Sequence, residues 1–183
     1  ANRALDDRIR RIGLRTYLSE QFEAPYPSLT NPYPNIPLKH IDSNNSTLGC
    51  GMFADGTAER RICFRDHYNQ YPLQNWFFKE ALYGEPQLRH RVAWALGQIW
   101  VVSGVDTQQS SWMIAYHKIL SQHAFGNYRD LMRDMTLNPA MGNYLDMVRS
   151  TKNNPNENYP REILQLFSVG LFMLNQDGTL MLD

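Results

Sequence analysis

The stretch that decides the fold is LRHRVAWALGQIWVVS, residues 88–103. Its apolar side chains recur at helical spacing and form one stripe made up of Leu88, Val92, Ala95, Ile99 and Val102. Trp94 and Trp100 flank the stripe, so little of the helix surface is left for water. The pattern predicts a central helix against which the rest of the chain packs.

Further helices are predicted on both sides of this stretch. Upstream, residues 3–23 carry helical periodicity that Gly13 interrupts, and residues 73–83 form a helix that ends at Gly84. Downstream, a helix over residues 110–125 precedes Gly126. Asn127 and Asn138 then stand where N-caps are expected, and a last helix carries Ile163, Leu166, Phe167 and Gly170 on one face.

Residues 24–72 interrupt the helical pattern. Five prolines fall within thirteen residues, at positions 25, 27, 32, 34 and 37, and an Asn/Ser-rich run follows. Proline fixes φ and lacks an N–H group, so the prolines forbid helix and central strand. We expect an extended arm that lies over the helical body; recognition of a PxxP type is the alternative.

These patterns predict an all-α protein, a compact antiparallel multi-helix array with a long Pro/Asn-rich arm. The expected divisions are N-terminal helices over residues 1–23, the arm over 24–72 and a helical core over 73–183. The core is expected to belong to a longer domain that continues beyond Asp183.

Composition excludes several classes of protein. Lys plus Arg number 18, and so do Asp plus Glu. The sequence has no basic stripe of the kind that indicates nucleic-acid binding. No run of 18 apolar residues exists, so no membrane span is expected in this segment. P-loop, dinucleotide-binding, GxSxG and HExxH motifs are absent, and no cofactor can be named.

The two cysteines, Cys50 and Cys63, lie in a region rich in Gly and Asn. A disulfide would close a loop of about a dozen residues and stabilise the fold by roughly 3 kcal/mol. The alternative is two free thiols. A lone pair without CxxC spacing argues against zinc.

The most polar tract runs from Asn153 to Glu162. Glu157 and Arg161 stand four residues apart and can pair on one helix face, whereas Glu162 points elsewhere. Two interpretations stay open. The amides cap the helix and Arg161 fixes the loop, or Glu157, Arg161 and Glu162 bind a ligand or take part in catalysis.

His123 and Asp146 are the other candidate site residues. A single His on a helix is usually a hydrogen-bonded packing residue, and this also applies to His90 and His117. The alternative makes His123 a metal ligand or catalytic group. Asp146 opposes a helix dipole and therefore needs a partner: either Arg149, or a metal or Arg161.

Two regions of the sequence resemble a known bacterial family. The first is residues 88–103, quoted above. The second contains the ordered motifs HAFGNYRD at 123–130, NPAM at 138–141, YLD at 144–146, PNEN at 155–158 and REILQLFSVG at 161–170. Together they look like the family called domain of unknown function 1800. The likeness is good over residues 73–178 and looser before them.

The resemblance implies a helical fold and a periplasmic or extracellular location, but no activity. Our first hypothesis is an exported binding or scaffold module of a cell-envelope or extracellular complex, with another exported protein as partner. The alternative is a metal-assisted hydrolase. In it, the metal-ligand candidates His123, Asp146, Glu157 and Glu162 would come together, with Arg161 binding an anion.

Overall fold

A computed structural model describes residues 3–181 of the chain. This range contains nine α-helices: α1 (Arg3–Ile12), α2 (Leu14–Glu23), α3 (Ala58–His67), α4 (Tyr71–Tyr83), α5 (Gln87–Ile99), α6 (Ser110–Gln122), α7 (Tyr128–Thr136), α8 (Pro139–Tyr144) and α9 (Asn158–Gln165). The prediction of an all-α protein is confirmed. Predictions that concern residues 1–2 and 182–183 lie outside the described range.

Helix ends follow the local sequence. Gly13 separates α1 from α2 with a φ of 83°, a conformation that suits glycine. The Asn127 side chain accepts a hydrogen bond from the Arg129 amide at 2.8 Å and caps α7. Asn138 caps α8 in the same way, with Pro139 in the first turn.

Helix α6, and not α5, lies at the centre of the fold. It packs against α3, α4, α5, α7 and α8. It also contributes seven buried residues, among them Met113, His117 and Leu120. The apolar core therefore forms around α6, where side chains of α5, α7 and α8 meet.

The predicted stripe on α5 is wrong in register. Ala93 and Trp100 are buried, whereas Ala95 and Ile99 are exposed. The reason lies at Gly97, where a Cβ atom would stand 3.3 Å from Leu120 Cδ1 of α6. Small residues on this face let the α5 backbone approach α6 closely, and that approach determines which face is buried.

A single extended arm over residues 24–72 is not confirmed. Residues 58–67 form α3, which Thr57 caps by accepting a hydrogen bond from the Arg60 amide at 3.3 Å. The prolines act only before residue 38, so they do not prevent a helix twenty residues later. The stretch from Ala24 to Thr57 contains no α-helix and one 3₁₀ turn, Cys50–Met52.

The predicted disulfide is confirmed. Cys50 and Cys63 are bonded, with their Cα atoms 5.7 Å apart. Both are buried and form a small core with Tyr68. The bond fastens the 3₁₀ turn to α3.

Gln21 attaches the N-terminal helices to the rest of the fold. Its buried side-chain amide donates to the Glu85 carbonyl at 3.0 Å and accepts from the Leu88 amide at 3.1 Å. The start of α5 is thus capped by a side chain from α2. Between residues 3 and 181, no helix is both long and apolar enough to cross a membrane.

Candidate functional site

Most hydrogen bonds of the polar tract, residues 153–162, stay within the tract or reach the few residues before it, although the Tyr159 hydroxyl contacts Thr136 of α7 at 2.6 Å. The Asn156 side chain accepts from the Asn158 amide at 2.9 Å, and the Asn156 amide donates to Ser150 Oγ at 3.0 Å. Thr151 and Asn154 exchange two backbone hydrogen bonds of 3.1 Å. The amides therefore organise turns before α9.

Glu157 and Arg161 form the predicted pair. Arg161 Nη2 lies 2.6 Å from Glu157 Oε1, and both side chains are largely exposed. An exposed pair at this spacing contributes only a few tenths of a kcal/mol. The contact fits the interpretation that Arg161 fixes the loop, and by itself it indicates neither ligand binding nor catalysis.

His123 terminates α6 and joins it to α7. Its Nε2 atom lies 2.7 Å from Asp134 Oδ2, a carboxylate that the sequence analysis did not consider. The partner is therefore on α7 and not in the polar tract. This contact is typical of a histidine that fastens one helix to the next.

Asp146 and Glu162 are placed separately. Asp146 follows α8 with a left-handed backbone, φ 58°, and its carbonyl accepts from the Arg149 amide. Its side chain has no hydrogen bond or ion pair within residues 3–181, so the expected pairing with Arg149 involves only backbone atoms. Glu162 has one buried oxygen that lacks a hydrogen-bond partner in the same range.

The candidate metal ligands are not gathered into one group in the described part of the chain, and their metal-binding role stays a prediction. There, no group of three or more His, Cys, Asp or Glu side chains could hold a metal ion. His123 is paired with Asp134, and Glu157 with Arg161. Catalytic roles for these residues stay predictions.

A second polar constellation, which we call the anchored cluster, is buried between α4, α5, α6 and the loop over residues 24–33. It consists of Tyr26, Ser28, Asn31, Tyr33, Trp76, Glu80, His90 and His117. Its members are far apart in sequence, and its centre is the fully buried side chain of Glu80.

Glu80 fixes the loop through three accepted hydrogen bonds. One carboxyl oxygen accepts from the Ser28 amide at 2.9 Å and from the Ser28 hydroxyl at 2.7 Å. The other accepts from the Asn31 side chain at 2.9 Å. These bonds satisfy a polar group that burial would otherwise penalise.

Gly84 explains how the Glu80 carboxyl fits. A Cβ atom at Gly84 would lie 2.9 Å from Glu80 Oε1 and 2.6 Å from the Glu80 carbonyl oxygen. A side chain there would push the carboxyl out of its place. Gly84, which ends α4, thus also makes room for the Glu80 carboxyl.

Two tyrosines of the loop each meet a buried histidine. The Tyr26 hydroxyl lies 2.9 Å from His90 Nδ1, and the Tyr33 hydroxyl lies 3.1 Å from His117 Nδ1. Tyr33 is also stacked on Trp76, with ring centroids 4.2 Å apart. The loop is therefore held by ring packing as well as by hydrogen bonds.

The hydroxyl protons around Tyr33 can be assigned. Ser121 donates its proton to the Lys118 carbonyl at 2.9 Å, so in the 2.8 Å contact with Tyr33 the phenol donates. Tyr33 must then accept from His117 Nδ1–H. His117 Nε2 is then an acceptor, and it has no hydrogen-bond partner in the described structure.

Burial keeps the two histidines and the two tyrosines of the anchored cluster neutral. It lowers the pKa of His117 to about 3, and the neighbouring His90 contributes to the shift. Burial also lowers the pKa of His90 and raises the pKa of Tyr26 and Tyr33. General acid–base catalysis works best with a pKa near the working pH, so the cluster is suited to holding structure and hydrogen bonding.

A surface cleft of about 410 Å³ opens above the cluster. Its walls include Tyr26, Tyr33 and Ser121, together with two cationic side chains, Arg89 of α5 and Lys118 of α6. Such a volume suits a small organic ligand. We call it the cationic cleft.

Sequence reasoning missed the cluster and the cleft, although one signal was present. Glu80 stands four residues after Trp76, so a carboxyl group falls on the buried face of α4. A carboxyl group on such a face requires buried partners. Nothing in the sequence shows that the partners, Ser28 and Asn31, lie about fifty residues away.

The last described residues expose apolar side chains. Over residues 164–181, which we call the apolar segment, nine large apolar side chains are more than half exposed: Leu164, Leu166, Val169, Leu171, Phe172, Met173, Leu174, Leu180 and Met181. Asp177 is the single charged residue of the segment. Phe167 is the exception to this exposure, because it is buried against Trp100.

Fold and sites together define an all-helical, disulfide-bonded protein with a preformed cleft and an exposed apolar segment. The family model described as Protein of unknown function (DUF1800) matches residues 1–178, and the chain belongs to that family. The match includes the first 72 residues, over which the motif resemblance was loose. Neither a curated protein nor a solved structure matches the chain.

Proposed function

We propose that this chain is a binding module of an exported complex in the cell envelope or outside the cell. Its partner is another exported protein that covers the apolar segment. The observation that carries the proposal is the exposure of nine large apolar side chains in eighteen residues that contain one charge. Exposed apolar side chains with little charge among them are typical of interface cores.

Export is supported by the disulfide. Disulfides persist in oxidising compartments and are rare in the cytosol. Because Cys50 is fully buried, the bond is part of the folded structure. In cells, Cys50 and Cys63 should resist alkylation until a reductant is added. Rapid alkylation in untreated cells would contradict export.

The partner surface can be tested with two exposed residues. Phe172→Glu places a charge in the apolar segment, whereas Leu29→Glu places one on a leucine outside the segment that is more exposed than Phe172. A partner captured from native extract is identified, purified and titrated against both variants. We expect Phe172→Glu to weaken the complex at least about tenfold, the effect of roughly 1.4 kcal/mol, and Leu29→Glu to leave it unchanged.

Three outcomes would overturn the proposal: a free monomer without a stable partner, equal losses in both variants, or no loss in either. Thermal unfolding of both variants is the control for folding. Since both side chains are exposed, neither substitution should lower the melting temperature by more than a few degrees.

A further inference from the structure

We propose that the cationic cleft is a binding site for a small ligand that carries an oxyanion, either a carboxylate or a phosphate group. The site is formed by Arg89, Lys118 and the tyrosine wall of the anchored cluster. This inference does not depend on the apolar segment or on its partner.

The charges of the cleft call for an anion. Arg89 and Lys118 both line it, and no acidic side chain does. Within residues 3–181 neither cation has a carboxylate partner. Two unpaired cations in one concave site attract a negative ligand.

A larger cleft on the same molecule differs in the charges that line it. It has a volume of about 620 Å³ and lies where α1 and α2 meet α4 and α5. Two arginines and two glutamates line it, and one of these arginines, Arg8, is paired with Glu20 at 2.6 Å. Its charges balance, so volume alone does not mark an anion site.

Arg89 is held in position for a ligand. Its guanidinium group lies over the Phe125 ring, 4.6 Å from the centroid, and one nitrogen donates to the Ser121 carbonyl at 3.0 Å. These two contacts fix the plane of the group, and its remaining N–H donors are left for a carboxylate or phosphate.

Lys118 and Tyr33 also line the cleft. Lys118 Nζ lies 5.3 Å from the centroid of the Tyr33 ring, which draws the ammonium group over the aromatic face. The ring itself is fixed by Trp76 and His117. The side chains around the oxyanion are therefore already ordered when a ligand arrives.

The wall is formed before any ligand arrives. Glu80 holds Ser28 and Asn31, and the Trp76 indole donates to the Asn31 carbonyl at 2.8 Å. A preformed site spends less binding energy on ordering loops and side chains. The anchored cluster thus has a purpose in this proposal: it positions the tyrosines.

The test uses the full chain and four probes. Benzoate supplies a carboxylate with a flat apolar body, benzamide is its neutral isostere, and acetate and inorganic phosphate are the two oxyanions alone. Binding is followed through NMR shifts of the backbone amides of Ser121 and Tyr33. We expect benzoate to bind and benzamide to bind at least about tenfold more weakly, as loss of a charge-assisted contact implies.

Acetate and phosphate show which oxyanion the site prefers. Stronger binding of phosphate assigns a phosphate ester, and stronger binding of acetate assigns a carboxylate; either supports the proposal. Equal binding of benzoate and benzamide, or no shift with any anion, would overturn it.

Variants assign the binding to the cleft. Arg89→Gln should weaken benzoate about tenfold, and Lys118→Gln several-fold, since an exposed ammonium group is screened more strongly. Arg91→Gln is the matched control, because Arg91 lies on the same helix outside this cleft. Equal effects of Arg89→Gln and Arg91→Gln would contradict the site.

Folding is checked by the thermal midpoint of each variant. If Arg89→Gln lowers the midpoint, the exposed Lys118→Gln decides the result, and unchanged affinity in that variant overturns the proposal. Phe172→Glu should bind benzoate normally, which separates failure of this site from failure of the protein interface.

Discussion

The polar tract and the anchored cluster are both rich in hydrogen bonds, yet they differ in the distance that those bonds cover along the chain. Apart from Tyr159, whose hydroxyl contacts Thr136 23 positions away, side chains of the tract bond to residues two to six positions apart. The hydrogen bonds from the loop to Glu80 and the two histidines join residues 49 to 84 positions apart. A dense polar sequence therefore indicates local turns, whereas the buried site is assembled from scattered residues.

Removal of the Glu80 carboxyl should give the largest loss of stability. Glu80→Ala leaves the Ser28 amide and the Ser28 hydroxyl without their acceptor, and the Asn31 side chain keeps only its hydrogen bond to the Trp76 carbonyl at 3.2 Å. Each unsatisfied buried group costs about 1–3 kcal/mol, so we expect the free energy of unfolding to fall by about 4 kcal/mol. Urea denaturation measures this change, and a fall below about 1 kcal/mol would show that the loop is not held by Glu80.

Acid should weaken the cluster through His117. The ordinary histidine pKa of 6.5 applies to the unfolded chain, and burial lowers the pKa of the folded state to about 3. Between these values the unfolded state binds more protons, so stability falls as the pH falls. The stability that neutral, buried His117 contributes is fully present above pH 6.5 and is lost progressively towards pH 3.

The His117→Phe variant isolates this effect. One proton changes stability by at most about 1.4 kcal/mol per pH unit, so urea titrations between pH 6.5 and about pH 4 should show a shallower slope in the variant. His90, whose pKa burial also lowers, remains in both proteins. Parallel slopes would mean that His117 is not buried as described.

Removal of a charge from the polar tract should give the smallest loss of stability. Glu157→Gln removes an exposed ion pair, and we expect a loss of less than about 0.5 kcal/mol in urea denaturation. Added salt should reduce even this difference, because it screens exposed charges. A loss comparable with that of Glu80→Ala would reverse the comparison and restore the tract as the energetic centre.

The sequence was sufficient for features that depend on neighbouring residues. Gly13, Asn127 and Asn138 mark helix boundaries because a positive φ or an N-cap is decided by the local chain. The pairing of Glu157 with Arg161 follows from helical spacing in the same way. The disulfide was favoured because nothing else in the loop that holds Cys50 and Cys63 was expected to order it.

Features that depend on packing could not be obtained from the pattern. On α5 the helical spacing of the apolar side chains suggested one buried face, but close contact at Gly97 with α6 buried another. Helix α3 was missed because prolines twenty residues earlier dominated the interpretation of the whole stretch. The partners of Glu80 come from a loop whose path is determined only by the tertiary fold.

The most direct test of the central claim is amide hydrogen exchange at Ser28, whose N–H donates to the buried Glu80 carboxyl. Asn158 is the comparison, because its N–H donates to Asn156 within the polar tract. We predict that Ser28 exchanges as slowly as core amides of α6, since it is released only when the cluster opens. Exchange of Ser28 as fast as that of Asn158 would contradict an anchored loop and, with it, a cleft formed in advance of its ligand.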